Sequence, residues 1–275
     1  MPTIKVAAAA SLKNGLDDII ADFEGSTGNT VSVDYAGFYA LADIITTIGN
    51  TTYDIYLAAS DENDLKGMKK VSNAGKILPY GSSTIPTNYP FLFIANDLVL
   101  IRNSKGTFLG VNSFGTVNST TVGIGQHIWI ANIEKAPAGE YAKAAFNLTN
   151  PSSWNYLYGK AGNDVTIGDD VQKTLEGVVV DNDIKNKQAL GVVYNSDYLN
   201  LPSVPGTKTF LINYAPASVN TTVKYSVAVL INADTPHGVK AEAEAFVSLL
   251  RDVQNQNFLQ TKGFRLLDNP PKDEN

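Results

Sequence analysis

Residues 4–12 read Ile-Lys-Val-Ala-Ala-Ala-Ala-Ser-Leu, and apolar residues recur after them at Leu12, Leu16, Ile19, Ile20 and Phe23. The run 4–9 is too short for a helix and predicts a buried strand. The spacing of the five later residues predicts one apolar helical face. Ser11 stands before that face, at the N-cap position, where a serine contributes roughly 1 kcal/mol; Gly25 or Gly28 is the expected stop. Outward from this unit, 31–35 alternates like a strand, 40–48 has helical spacing and 53–58 reads as a third strand. A β-α-β-α-β order points to a mainly parallel sheet flanked by helices.

The rest of the chain keeps the α/β pattern. Helices are expected over 61–71, 139–146 (after Pro137), 169–179, 236–250 and 258–264, the last ending at Gly263. Strands are expected at 97–101, 128–130, 191–194, 208–212 and 225–231. Residues 80–90 read as a loop, and 105–126 as loops with short strands. No internal repeat is visible. The order suits one lobe (1–96), a second lobe inserted into it (97–223) and a C-terminal return to the first (224–275), with crossings near 97–101 and 225–231. Ligands of open α/β sheets bind at the carboxyl ends of the strands, beside helix N-termini, so two such lobes predict a shared binding cleft.

Composition narrows the function. The 275 residues are 44% hydrophobic and 17% charged, a globular balance. No apolar run approaches the roughly 20 residues that span a bilayer. The net charge is −6, from 21 Lys+Arg against 27 Asp+Glu, and the pI is about 4.9. Nothing here forms the basic stripe of a nucleic-acid binder. An acidic chain can still hold an anion through local N–H dipoles and hydroxyls. With no cysteine and two histidines, His127 and His237, no disulfide, thiolate metal site or protein-ligated cation is expected. The nucleophile elbow, the phosphate loop, the dinucleotide fingerprint and the zinc-protease motif are all missing. His237 reads as a first-turn helix residue and His127 as the opening of a strand. No enzyme and no cofactor are therefore expected.

Several blocks carry a more specific signal. Ala7-Ala-Ala-Ala-Ser-Leu12 with Leu16-Asp-Asp-Ile-Ile20 and Phe23, then Ala136-Pro-Ala-Gly-Glu-Tyr-Ala-Lys143, resemble the periplasmic molybdate-binding proteins of ABC importers. Asp170-Val-Gln-Lys-Thr-Leu175, Gly191-Val-Val-Tyr-Asn-Ser-Asp197, Tyr225-Ser-Val-Ala-Val229 and Lys262-Gly-Phe264 follow in the family's order. The resemblance spans nearly the whole chain and is weakest at 80–125 and 150–165.

The resemblance implies a type II periplasmic-binding-protein fold: two α/β lobes with mixed, mostly parallel sheets, closing on a tetrahedral oxyanion such as molybdate or tungstate. In the family, neutral backbone N–H groups and hydroxyls hold the anion. Carried over, Ser11 and Ala59 come from the first lobe, and Ala138, Val171 and the Tyr194 hydroxyl from the second. Ser11, Ala138 and Val171 lie at expected helix starts, where unpaired N–H groups and the macrodipole favour an anion. The family's serine-rich turn after the second strand is here Ala36-Gly37-Phe38-Tyr39, and the ligating serine aligns with Phe38. Either a shifted loop keeps a backbone N–H of Phe38 or Tyr39 in place, or the ligand differs: sulfate, a phosphorylated metabolite or an organic acid, with an aromatic ring lining the cleft.

The resemblance further implies an anionic solute, a membrane permease as partner, a monomer and no nucleic acid. It implies a periplasmic or extracytoplasmic location, with or without a lipid anchor. The secretion signal would be absent from the chain as given, since Met-Pro-Thr leads directly into the first strand; a cytosolic protein would look the same.

Several features also have plainer readings. Ser11 can be a simple cap and Tyr194 core packing. Val171 can be core packing too, and Pro137-Ala138-Gly139 an ordinary helix start. Glu134 and Glu140 read as solvated surface. The Asn-x-Ser/Thr triplets at Asn50, Asn118, Asn147 and Asn220 are expected by chance in so Asn- and Thr-rich a chain. Two rival classes remain, an enzyme on a two-lobed fold and the sensor domain of a transcription regulator. The first has no catalytic cluster, and the second has no segment for a helix-turn-helix.

Overall fold

The computed structural model describes residues 3–47, 52–78, 89–104, 108–118, 121–122, 126–159, 165–179, 188–201, 208–231 and 237–272. The chain divides into two compact units, one comprising Met1–Ala95 and Lys224–Asn269, the other Asn96–Val223 and Pro270–Asn275. The sequence order groups the last residues with the C-terminal return. They count with the second unit, where Lys272 donates from its ammonium to the Tyr214 hydroxyl and from its carbonyl accepts the Asn220 amide.

The first unit is built on a five-stranded sheet of order β2-β1-β3-β10-β4. Its strands are β1 (Thr3–Ala9), β2 (Thr30–Ala36), β3 (Ile55–Ala58), β4 (Phe91–Ala95) and β10 (Lys224–Val229). β1 runs parallel to β2 and β3, while β10 runs antiparallel to β3 and β4. Helix α1 (Lys13–Thr27) buries Leu16, Ile19, Ile20 and Phe23, the predicted face. Fully burying such side chains contributes about 1.5–3 kcal/mol each. Phe23 meets Phe246 of helix α9 (His237–Leu249) edge to face, with ring centroids 5.3 Å apart. The C-cap of α1 is Gly28 in the left-handed region at φ 73°, which glycine adopts without strain.

The second unit repeats the plan in the order β7-β6-β8-β5-β9. Here the strands are β5 (Leu98–Asn103), β6 (Gln126–Ala131), β7 (Val165–Gly168), β8 (Gln188–Tyr194) and β9 (Thr209–Tyr214). β6 is parallel to β7 and β8, and β5 is antiparallel to β8 and β9. The helices include α4 (Pro137–Thr149), α5 (Pro151–Gly159), α6 (Val171–Val179) and α7 (Asn195–Leu199). Both sheets are thus mixed, with helices packed on them.

Local expectations fail where side chains compete with the backbone. The helix expected over 61–71 shrinks to α3 (Met68–Asn73). Before it, the Asp61 and Asp64 carboxylates accept the N–H groups of Asn63 and Lys66, holding turns in place of a helix. β4, β7 and α5 were not expected. β4 precedes β5 in one apolar stretch interrupted only by Asn96 and Asp97, both buried. The terminal helix α10 begins earlier than expected, spanning Val253–Thr261, because Asp252 caps it by accepting the Gln254 N–H. The loop at 80–90 lies mostly outside the described residues. Of the stretch 105–126, the described part holds a 3-10 turn, Phe114–Thr116, and the start of β6.

Among the described residues no helix is long and apolar enough to cross a membrane. Asn220 is fully buried and bonded to backbone on both sides: its side chain accepts the Leu98 N–H at 2.7 Å and donates to the Ala215 carbonyl at 3.0 Å. Its triplet is structural.

Candidate functional site

Parallel pairing brings the ends of β1, β2 and β3 to one sheet edge. The register pairs Ala9 with Ala36 and Ala8 with Leu57. The segments leaving that edge carry Ser11, Phe38 with Tyr39, and Ala59. β10 enters at the same edge, with Ser226 opposite Ala58. In the second unit, pairing of Ala131 with Gly168 and of Trp129 with Gly191 aligns the ends of β6, β7 and β8. Ala138, Val171 and Tyr194 follow those three ends. Each unit therefore gathers its own share of the sequence-derived residues at the carboxyl edge of its parallel strands.

Ser11 is not the N-cap that the sequence suggested. It sits inside a 3-10 turn, Ala10–Leu12; Leu12 occupies the cap position of α1, and no side chain caps the helix. The Ser11 hydroxyl is buried and lies 3.0 Å from the Tyr225 hydroxyl, 214 residues away in sequence. When Tyr225 donates, the Ser11 oxygen accepts and its own proton is available to an anion. Tyr225 is in turn clamped edge-on by Phe93 and Phe264.

Phe38 opens helix α2 (Phe38–Thr47) and is 1% exposed. Its ring packs on Gly67, where an added methyl would lie 2.2 Å from the ring edge, and against Tyr39. Its carbonyl accepts the buried Tyr56 hydroxyl at 2.8 Å. The ring is therefore committed to the core. The Phe38 and Tyr39 N–H groups stand in the first turn of α2. Ala59 is buried directly after β3. Ser60 is also buried, and its hydroxyl has no hydrogen-bond partner among the described residues. No sequence pattern marks it.

In the second unit, Pro137 is the first helical residue of α4, so Ala138 and Gly139 supply the next backbone donors. The Gly139 N–H turns back to the Ala136 carbonyl at 3.1 Å. A methyl on Gly139 would lie 2.3 Å from the Ala131 carbonyl oxygen, so only glycine lets the α4 terminus approach the end of β6 this closely. Val171 is the first residue of α6. Before it, the Asp170 carboxylate takes the Lys173 N–H at 2.9 Å and so occupies a later donor of that turn. Tyr194 is buried at the end of β8 and is the N-cap of α7. Asp197, in the first turn of α7, accepts the Gln172 amide at 2.7 Å and so ties α6 to α7. Burial pushes the Asp197 carboxyl well above the usual carboxylate range, against the opposing pull of its bonds to the Tyr194 backbone and Gln172.

Hydroxyls and first-turn N–H groups offer neutral dipoles to an acceptor, and the Lys66 ammonium lies 5.3 Å from the Tyr39 ring centroid. Such a set suits an anion with several oxygens. Among the described residues no cluster of three or more His, Cys, Asp or Glu side chains could hold a metal ion.

A family model described as bacterial extracellular solute-binding protein matches residues 4–265, so the chain belongs to that family. It binds a solute and is not an enzyme. Among individual proteins, it is 26% identical over 263 residues to the molybdate-binding protein ModA of Escherichia coli, spanning 96% of this chain and 89% of that one. In fold it is similar to the periplasmic molybdate-binding protein of Azotobacter vinelandii, with TM-score 0.66 and 19% identity over 96% of this chain and 99% of that one. It is also similar to the sulfate-binding protein SubI of Mycobacterium tuberculosis, with TM-score 0.65 and 14% identity over 98% and 88% of the two chains. Its two mixed sheets flanked by helices are those of the type II periplasmic-binding-protein fold.

Proposed function

We propose that this chain is the extracytoplasmic solute-binding component of an ABC importer and captures a tetrahedral oxyanion of molybdate or tungstate type. The first unit offers Ser11, the N–H groups of Phe38 and Tyr39, and the segment at Ala59. The second offers the N–H groups of Ala138 and Val171 and the Tyr194 hydroxyl. Donors from both units converge on one anion as the units close, and the closed form docks on a membrane permease. The observation that carries this reading is the placement of both residue sets at the carboxyl edges of parallel strands, with neutral donors in each. Neutral donors also select protonation state, because a protonated oxyanion would turn a donor toward a donor.

A thermal-shift panel of molybdate, tungstate, sulfate, phosphate, chromate and small carboxylates tests it. A ligand at 100 times its dissociation constant adds about 2.7 kcal/mol of stability. Molybdate and tungstate are expected to give the largest shifts, and Ser11→Ala to reduce them. A response to sulfate or an organic acid alone would move the assignment to that anion.

A further inference from the structure

We infer that Ser60 supplies the first unit's second side-chain hydroxyl to the bound anion, in place of the hydroxyl that Phe38 cannot provide; this rests on the oxyanion reading. Three observations carry it. The Ser60 side chain is 2% exposed, and its hydroxyl has no hydrogen-bond partner among the described residues. A buried hydroxyl left unbonded is uncommon and calls for a missing acceptor. The Ser60 backbone, by contrast, is held: its carbonyl accepts the Ser226 hydroxyl at 2.7 Å.

That bond fixes where Ser60 stands. Ser226 pairs with Ala58 and directly follows Tyr225, whose hydroxyl holds Ser11. Ser60 therefore belongs to the strand edge that carries Ser11. It also borders Phe38: a methyl on Gly67 would lie 2.2 Å from the Phe38 ring and 3.0 Å from the Ser60 oxygen. The hydroxyl lies beside the ring that replaces the expected donor. A hydroxyl has one proton to give, and an anion oxygen accepts it without a counter-charge. The site then keeps a neutral donor set in which the hydroxyl arrives from the end of β3 instead of the turn after β2.

The test is Ser60→Ala, with molybdate and tungstate affinity read by titration calorimetry and ligand-free stability by thermal melting. Ser153→Ala is the control, because it removes another buried hydroxyl with no partner among the described residues, in α5 of the second unit. A hydrogen bond to a charged group predicts a loss of about ten- to a hundredfold in affinity for Ser60→Ala. The ligand-free melting temperature should hold or rise in both variants, and Ser153→Ala should bind like wild type. Unchanged affinity in Ser60→Ala, with wild type binding well, overturns the role of Ser60 and leaves the oxyanion reading standing. A lower ligand-free melting temperature in Ser60→Ala overturns it too, since the hydroxyl would then have a partner within the protein. If wild type binds no oxyanion, the functional reading itself falls, and this inference with it.

Discussion

The hydroxyls of Ser11 and Tyr225 meet 3.0 Å apart in the buried edge of the first sheet, joining the turn after β1 to the first half of β10. Tyr225→Phe keeps the ring between Phe93 and Phe264 and removes only the phenolic hydroxyl. The Ser11 hydroxyl then loses the partner that orients it. Calorimetric titration is expected to show a several-fold loss of oxyanion affinity, with about 0.5–1.5 kcal/mol less stability in urea unfolding. Ser11→Ala should weaken binding further, because it removes the donor itself.

Gly139 and Gly25 should respond to alanine with opposite signs. At Gly139 a methyl would meet backbone atoms of Ala131 and Ile133 at 2.3 and 2.8 Å. Gly139→Ala is expected to cost about 1–3 kcal/mol and to lower affinity by moving the Ala138 N–H. Gly25 lies within α1 with open space around it. Gly25→Ala should stabilise by about 0.5–1 kcal/mol with binding unchanged. Thermal melts with and without molybdate separate the two.

Asp197 makes stability depend on pH. Its folded-state carboxyl titrates well above the ordinary 3.8, chiefly through burial, with Asp170 adding repulsion. The folded state therefore binds this proton more tightly than the unfolded chain does. This contribution is full below the unfolded value and declines as pH rises from about 4 toward the folded value. Asp197→Asn cannot ionise, so its unfolding free energy should fall less steeply between pH 4 and 8 in denaturant titrations. Equal slopes for the two proteins would show that Asp197 is charged when folded.

Tyr56→Phe isolates the support under Phe38. The variant leaves the Phe38 carbonyl buried without its 2.8 Å donor. Chemical unfolding should show a loss of about 1–3 kcal/mol. The affinity loss should be smaller than for Ser11→Ala, because Tyr56 reaches α2 through a carbonyl and not through a donor to the anion.

Glu62 lies two residues beyond Ser60, and one of its carboxylate oxygens is buried without a partner among the described residues. A negative charge near an anion opposes binding. Glu62→Gln should raise molybdate affinity a few-fold at low ionic strength, with a smaller gain as salt screens the charge. No gain at low salt would place Glu62 out of electrostatic reach of the anion.

Much of this molecule is written in local periodicity. The apolar spacing at Leu16, Ile19, Ile20 and Phe23 reports one buried helix face, and the run 4–9 reports a buried strand, because each pattern constrains neighbours only a few residues away. The strand ends at Ala9, Ala58 and Tyr194 could be read in the same way, and with them the places where donors gather. Contacts across long stretches of chain could not be read so. Ser11 looks like a helix cap from its neighbours, yet its hydroxyl answers to Tyr225, which only the pairing of β10 with β3 brings near. Phe38 reads as a lost donor, but its ring fills the space over Gly67 and its carbonyl is held by Tyr56. Ser60 carries no local mark at all, since a hydroxyl becomes an unmet donor only when the surrounding elements exclude water from it. Asp197 is likewise an ordinary acid in the sequence; only its burial in the folded chain makes the charged form costly.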